Sequence, residues 1–298
     1  MKSVRFHGSN KPGQFIHIRQ GERGITLIEL LVATVITGIL LAVVMKFFVD
    51  QTAGFNESRQ SSEMQQELRW AINYVTERLK LAGNGVPPTC GFPVLENIDG
   101  GGSVPDSVSV IGSFKSLVIT TTQTMANEGA QVKVDDASEL EPGDLCVISD
   151  GTFQEIFFVT SIQNVLHLWH DTALPWNDDA KLDHRYVSGS SITVVTYYSF
   201  FVDVDDEGRS NLMVTTQAYP PQILLGDVDN FQIRFKMKNG SWLDETTPDE
   251  ITDIRMIEIT IRARSHEPLQ GYLDPEYGDA YKRIEMQSVV IPKNITIL

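Results

Sequence analysis

An α+β fold is expected, with one long N-terminal helix, apolar in its first half and amphipathic in its second, packed on a mostly antiparallel, β-rich head. Three observations predict it. Residues Ile25 to Val49 form an almost unbroken apolar run. Met64, Leu68, Ile72, Val75 and Leu79 then recur at helical spacing. Most of the remaining chain consists of short β-branched and aromatic segments separated by turn residues.

The first 24 residues carry Lys2, Arg5, Lys11, Arg19 and Arg23 against the single acid Glu22. The whole chain of 298 residues has net charge −15, from 24 Lys and Arg against 39 Asp and Glu, so the rest is strongly acidic. Such a body lacks the cations that displace counterions from phosphates, which argues against nucleic-acid binding. The run that follows, ITLIELLVATVITGILLAVVMKFFV, spans roughly 37 Å as a helix, more than a ~30 Å hydrocarbon core. Only Glu29 and Lys46 are charged, both near its ends. The run predicts a single membrane span. The basic flank places the N-terminus in the cytoplasm and the acidic body on the far side. Glu29 is the unusual residue, because a carboxylate in a bilayer is costly and marks function when a partner can be named. The segment's own side chains supply no cation for it.

Beyond the membrane, the stripe from Met64 to Leu79 faces one way, while Glu63, Glu67, Arg69, Glu77 and Arg78 occupy other faces. Gly54 is a candidate bend. The helix should stop near Ala82, where Gly83-Asn84-Gly85 offers left-handed positions and Pro87-Pro88 prevents resumption. The expected organisation is therefore a basic leader (1–24), a membrane half of the helix (25–49), an amphipathic half (50–82) and a β-rich head (83–298).

Within the head, Leu117–Thr122, Leu145–Ser149, Glu155–Ile162, Val165–Trp169, Ser191–Val204, Phe231–Lys238, Ile254–Arg264 and Met286–Ile291 read as strands. Phe231–Lys238 alternates and then meets Asn239-Gly240, a hairpin signal. Glu267–Tyr281 reads as an exposed loop.

Gly24-Ile25-Thr26-Leu27-Ile28-Glu29-Leu30, after a basic leader and before a long apolar helix, resembles the processing site of type IV prepilins and type II secretion pseudopilins. Gly38 also matches a glycine common in that helix. The resemblance implies cleavage between Gly24 and Ile25 by a prepilin peptidase, N-methylation of Ile25, and a role for Glu29 in filament assembly. The new α-ammonium, four residues from Glu29, would supply the missing cation in the same or an adjacent subunit. It further implies partnership with other minor and major pilins and with the pilus assembly machinery. The location implied is the inner membrane, with the head periplasmic and later on the pilus or cell surface. The layout and length, with Arg78-Leu79-Lys80-Leu81-Ala82-Gly83 at the helix end, Pro142-Gly143-Asp144 before a strand and Ile254–Arg264 near the C-terminus, resemble the larger minor pilins of the PilW-like branch. Three readings stand: a minor pilin that initiates or caps a type IV pilus, a minor pseudopilin of type II secretion, and a single-span adhesin or binding protein.

No nucleophile elbow, phosphate loop or zinc spacing is present, and His167 and His170 read as ordinary strand or surface histidines. No enzyme and no cofactor are expected. Asp203–Gly208 (DVDDEG) matches the first half of a calcium loop, but Val214 stands where a closing Glu belongs, and an acidic β-turn explains it equally well. Cys90 and Cys146 are a candidate disulfide if the head lies outside the cytoplasm; closing that loop would stabilise by about 4 kcal/mol.

Overall fold

The computed structural model describes residues 25–86, 93–115, 117–170, 180–269 and 271–295. The leader with Gly24, the Pro87-Pro88 helix stop, Cys90 and the acid pair Asp178-Asp179 lie outside the described residues. Two compact units divide after Thr52, and each is described by itself.

Helix α1 (Leu27–Lys80) is α-helical throughout, Gly54 included. In the first unit, every residue from Ile25 to Thr52 is exposed. By length and composition this part of α1 is apolar enough to cross a membrane. In the second unit, the predicted stripe is inside: Met64, Leu68, Ile72, Val75 and Leu79 are all buried, with Ala71 beside them. Each wholly buried leucine contributes about 1.5–3 kcal/mol relative to exposure.

The strands are β1 (Leu95–Ile98), β2 (Ser107–Gly112), β3 (Val118–Thr120), β4 (Val132–Lys133), β5 (Leu145–Ser149), β6 (Gln154–Phe158), β7 (Ser161–Gln163) and β8 (His167–Trp169). They continue with β9 (Ser191–Val204), β10 (Ser210–Thr216), β11 (Gln222–Leu225), β12 (Val228–Met237), β13 (Trp242–Leu243), β14 (Ile254–Arg264) and β15 (Arg283–Val290). Among the described residues the strands pair antiparallel. The large sheet runs β1-β2-β9-β10-β11, with β3 and β5 also on β9 and β6 on β5; a second sheet runs β13-β12-β14-β15 and a small one β4-β8-β7.

Strand β9 joins two cores. Its first residues, Ile192 and Val194, pack in a satellite core with Ile119, Cys146, Phe157 and Leu168. Further along, Val195 and Phe200 enter the main core, where the α1 stripe meets residues of both larger sheets. Asp106 ties those sheets together: its carboxylate accepts from the Ile233 N–H at 2.7 Å, and its own N–H donates to Phe231 O at 2.8 Å.

The end of α1 is docked through its backbone. Gly83, in a left-handed conformation (φ +76°), donates its N–H to Ile111 O at 2.8 Å, and Lys80 O accepts from Lys293 N. Gly112 permits this approach, since a Cβ there would lie 2.4 Å from Leu81 O.

Two expectations need correcting. The stretch Glu155–Ile162 is two strands, because Val159 bonds back to Gly143 and Asp144 and diverts the chain into the small sheet. The strand expected from Val165 begins at His167, because Asn164 (φ 55°) and Val165 (φ 58°) form the β7–β8 turn; a β-branched residue there is strained. The described residues of Glu267–Tyr281 do form a largely exposed loop, anchored by the buried side chains of Leu269 and Asp274. Asn239-Gly240 does turn the β12–β13 hairpin, with Gly240 at φ +89°.

Candidate functional site

The first turn of α1 is built by Thr26 and Glu29. Thr26 donates both its backbone N–H and its hydroxyl to Glu29 Oε2, each at 2.9 Å, while the Glu29 N–H donates to Thr26 Oγ1 at 3.3 Å. This reciprocal arrangement is a capping box, which satisfies donors that the helix start leaves unpaired. The side chains of the apolar run supply no cation for Glu29, and Thr26 adds two neutral donors that the sequence reading missed. The Thr-x-x-Glu spacing was the signal for them. Among the described residues, Glu29 Oε1 takes no hydrogen bond and Glu29 forms no ion pair. One oxygen therefore holds the helix start and the other faces outward. Ile25, immediately before the cap, is 78% exposed.

Residues 19–45 match the prokaryotic N-terminal methylation motif. The match is confined to the N-terminal segment, which carries a prepilin-type motif. No curated protein matches the chain. Among solved structures, the chain is similar to the type IV-like pilin TTHA1219 from Thermus thermophilus, at 10% identity, over 78% of this chain and 98% of that one, with a TM-score of 0.39. The matched segment contains Thr26 and Glu29 and runs into the part of α1 that is long and apolar enough to cross a membrane.

The other sequence candidates lie in the head. Cys146 sits wholly buried in β5, opposite Phe157 and Val194, and burial pushes its thiol well above the ordinary range. Its candidate partner Cys90 lies outside the described residues. In the Asp203–Gly208 segment, Asp205 is already engaged: Oδ1 accepts from the N–H groups of Glu207 and Arg209 at 3.0 and 2.8 Å, and Oδ2 from Arg209 Nε at 3.1 Å and Asn211 Nδ2 at 3.2 Å. One of the carboxylates that a cation loop would use instead closes the β9–β10 hairpin. Backbone hydrogen bonding from Arg209 holds the Asp205 carboxyl below the usual range. No cluster of three His, Cys, Asp or Glu residues able to hold a metal occurs among the described residues. His170 is buried, with Nε2 3.1 Å from Ala130 O, and β8 carries His167.

Sequence reading also missed an ionic cluster around Arg283, at the start of β15. Its guanidinium bonds Asp229, reaches both oxygens of Asp279 at 2.8 and 2.7 Å, and lies 3.4 Å from Asp274. The Tyr277 ring stacks at 3.8 Å from it. This cluster pins the 266–282 segment to the second sheet.

Proposed function

We propose that this chain is a minor pilin: a membrane-inserted, peptidase-processed subunit that helps initiate, assemble or cap a type IV pilus, with a structural rather than catalytic role. The methylation motif at residues 19–45 carries the reading, because it sets Glu29 at the offset where a freed Ile25 amine supplies its cation. In this reading residues 1–24 are a cytoplasmic leader cut after Gly24, Ile25 is methylated, residues 25–49 span the inner membrane, and the head lies in the periplasm before export.

The capped first turn supports a sequence of events. While the subunit is alone in the membrane, Thr26 gives Glu29 two neutral hydrogen bonds and lowers its cost in lipid. Oε1 remains available to accept from the α-ammonium of a neighbouring subunit. That pairing offsets the desolvation of both charges and sets a one-subunit register along the filament. The size of the head and the absence of proline from Ile25 to Gly83 support a minor rather than a principal subunit.

N-terminal mass spectrometry of the protein purified from its own membrane tests the proposal. The expected first residue is methylated Ile25, and Gly24→Ala should leave the leader attached. Recovery of Met1 on the mature chain would overturn it. Co-purification of the chain with sheared pili, rather than with a secretion complex, is the outcome expected of a pilus subunit.

A further inference from the structure

A groove of about 560 Å³ lies between the second half of α1 and β11, lined by Glu63, Glu67 and Trp70 on the helix and by Ile223, Leu224 and Leu225 on the strand. Three features of it are unused by the fold. Strand β11 closes the large sheet and pairs with β10 alone among the described strands. Trp70 and Ile223, two large apolar side chains, are 57% and 62% exposed. Glu67 makes no ion pair among the described residues, while Glu63 pairs with Arg59 at the surface.

Trp70 is held in this exposed position. Its ring lies 5.5 Å from that of Tyr74, and Tyr74 is in turn covered by the Arg78 guanidinium at 3.6 Å. This ladder, at steps of four along one helix, limits the rotamers of Trp70 before anything binds. A large aromatic already ordered in solution loses little entropy on contact, which suits an anchor.

We infer that the groove is a docking site for an extended, basic segment of a partner chain, added to β11 as a new edge strand. An open edge supplies main-chain hydrogen bonds to an incoming strand. Trp70 and Ile223 would take apolar side chains from one of its faces, and Glu67 and Glu63 would take Lys or Arg. Charge argues against a second copy as occupant, because this chain is itself acidic at −15. The inference concerns the second compact unit alone and does not depend on how the N-terminus is processed.

The test uses the full chain in detergent micelles, titrated calorimetrically with a capped hexapeptide of alternating Lys and Val. Two controls accompany it: the Glu-Val counterpart, and the Lys-Val peptide methylated on alternate backbone nitrogens. The unmodified Lys-Val peptide should bind saturably and both controls about tenfold more weakly, with Trp70→Ala and Glu67→Gln each weakening it several-fold. Equal binding of the methylated peptide would reduce the effect to charge and overturn the inference. So would the absence of saturable binding, or indifference to Trp70→Ala. Trp70-dependent self-association in the ultracentrifuge would assign the groove to a second copy and overturn it as well.

Discussion

Glu29 and Arg283 are both charges in costly places, and the chain treats them in opposite ways. Arg283, with its side chain 10% exposed, is surrounded by its own chain: Asp229, Asp274 and Asp279, the Tyr277 ring and the Tyr281 carbonyl all face it. Among the described residues, Glu29 receives neutral donors alone, both from Thr26, and both on one oxygen. A charge saturated within the chain does structural work, because removing it strands several opposite charges. A charge that retains a free acceptor is poised for an external partner. The difference lies in coordination rather than in charge.

That contrast can be broken experimentally, and the largest effect belongs to Glu29. Glu29→Ala should still insert and be processed, yet fall to background in sheared filaments, with the melting temperature of the head unchanged. Normal incorporation would remove the assembly role assigned to this carboxylate.

Arg283→Met should behave inversely. It should lower the melting temperature by about 5 °C while leaving N-terminal processing intact. Hydrogen exchange should rise first in the 266–282 segment, which the guanidinium ties down. An unchanged exchange pattern there would show that the segment is held by Leu269 and backbone bonds instead.

The same cluster predicts an acid dependence. Hydrogen bonding from Arg283 holds the Asp279 carboxyl down to about 2. A depressed folded-state pKa stabilises the fold at pH above the ordinary carboxylate value. That contribution is lost as pH falls from about 4 towards 2. Thermal unfolding of the wild type should therefore show an acid limb in this window, and Arg283→Met should flatten it.

The smallest effect is expected at Thr26. Thr26→Val keeps the backbone N–H to Glu29 and deletes the hydroxyl, so filament incorporation should fall only several-fold, as for loss of one cap interaction. A loss as complete as that of Glu29→Ala would mean that the hydroxyl, and not the carboxylate alone, meets the partner.

Local signals carried much of the fold. The α1 stripe, β5, β9 and β14 were legible because side-chain periodicity reports which face is buried, and long elements repeat the signal. The prepilin-type N-terminus was legible because a basic leader, Gly24, Glu29 and an apolar run are adjacent in the chain. Short strands such as β1, β4 and β13 were not, since two to four residues cannot establish a period. The small sheet was also obscured by Val165, a strand former placed in a turn.

The sequence by itself therefore determined the membrane helix, the α+β class and the candidate processing site, all of which rest on residues within a few turns of one another. Tertiary structure alone decided which acids surround Arg283, how Glu267–Tyr281 is held down, and that Trp70 and Ile223 share a groove. Those arrangements join residues far apart in the chain. Their free energy comes from desolvation and pairing that arise only when the sheets and helix close on each other.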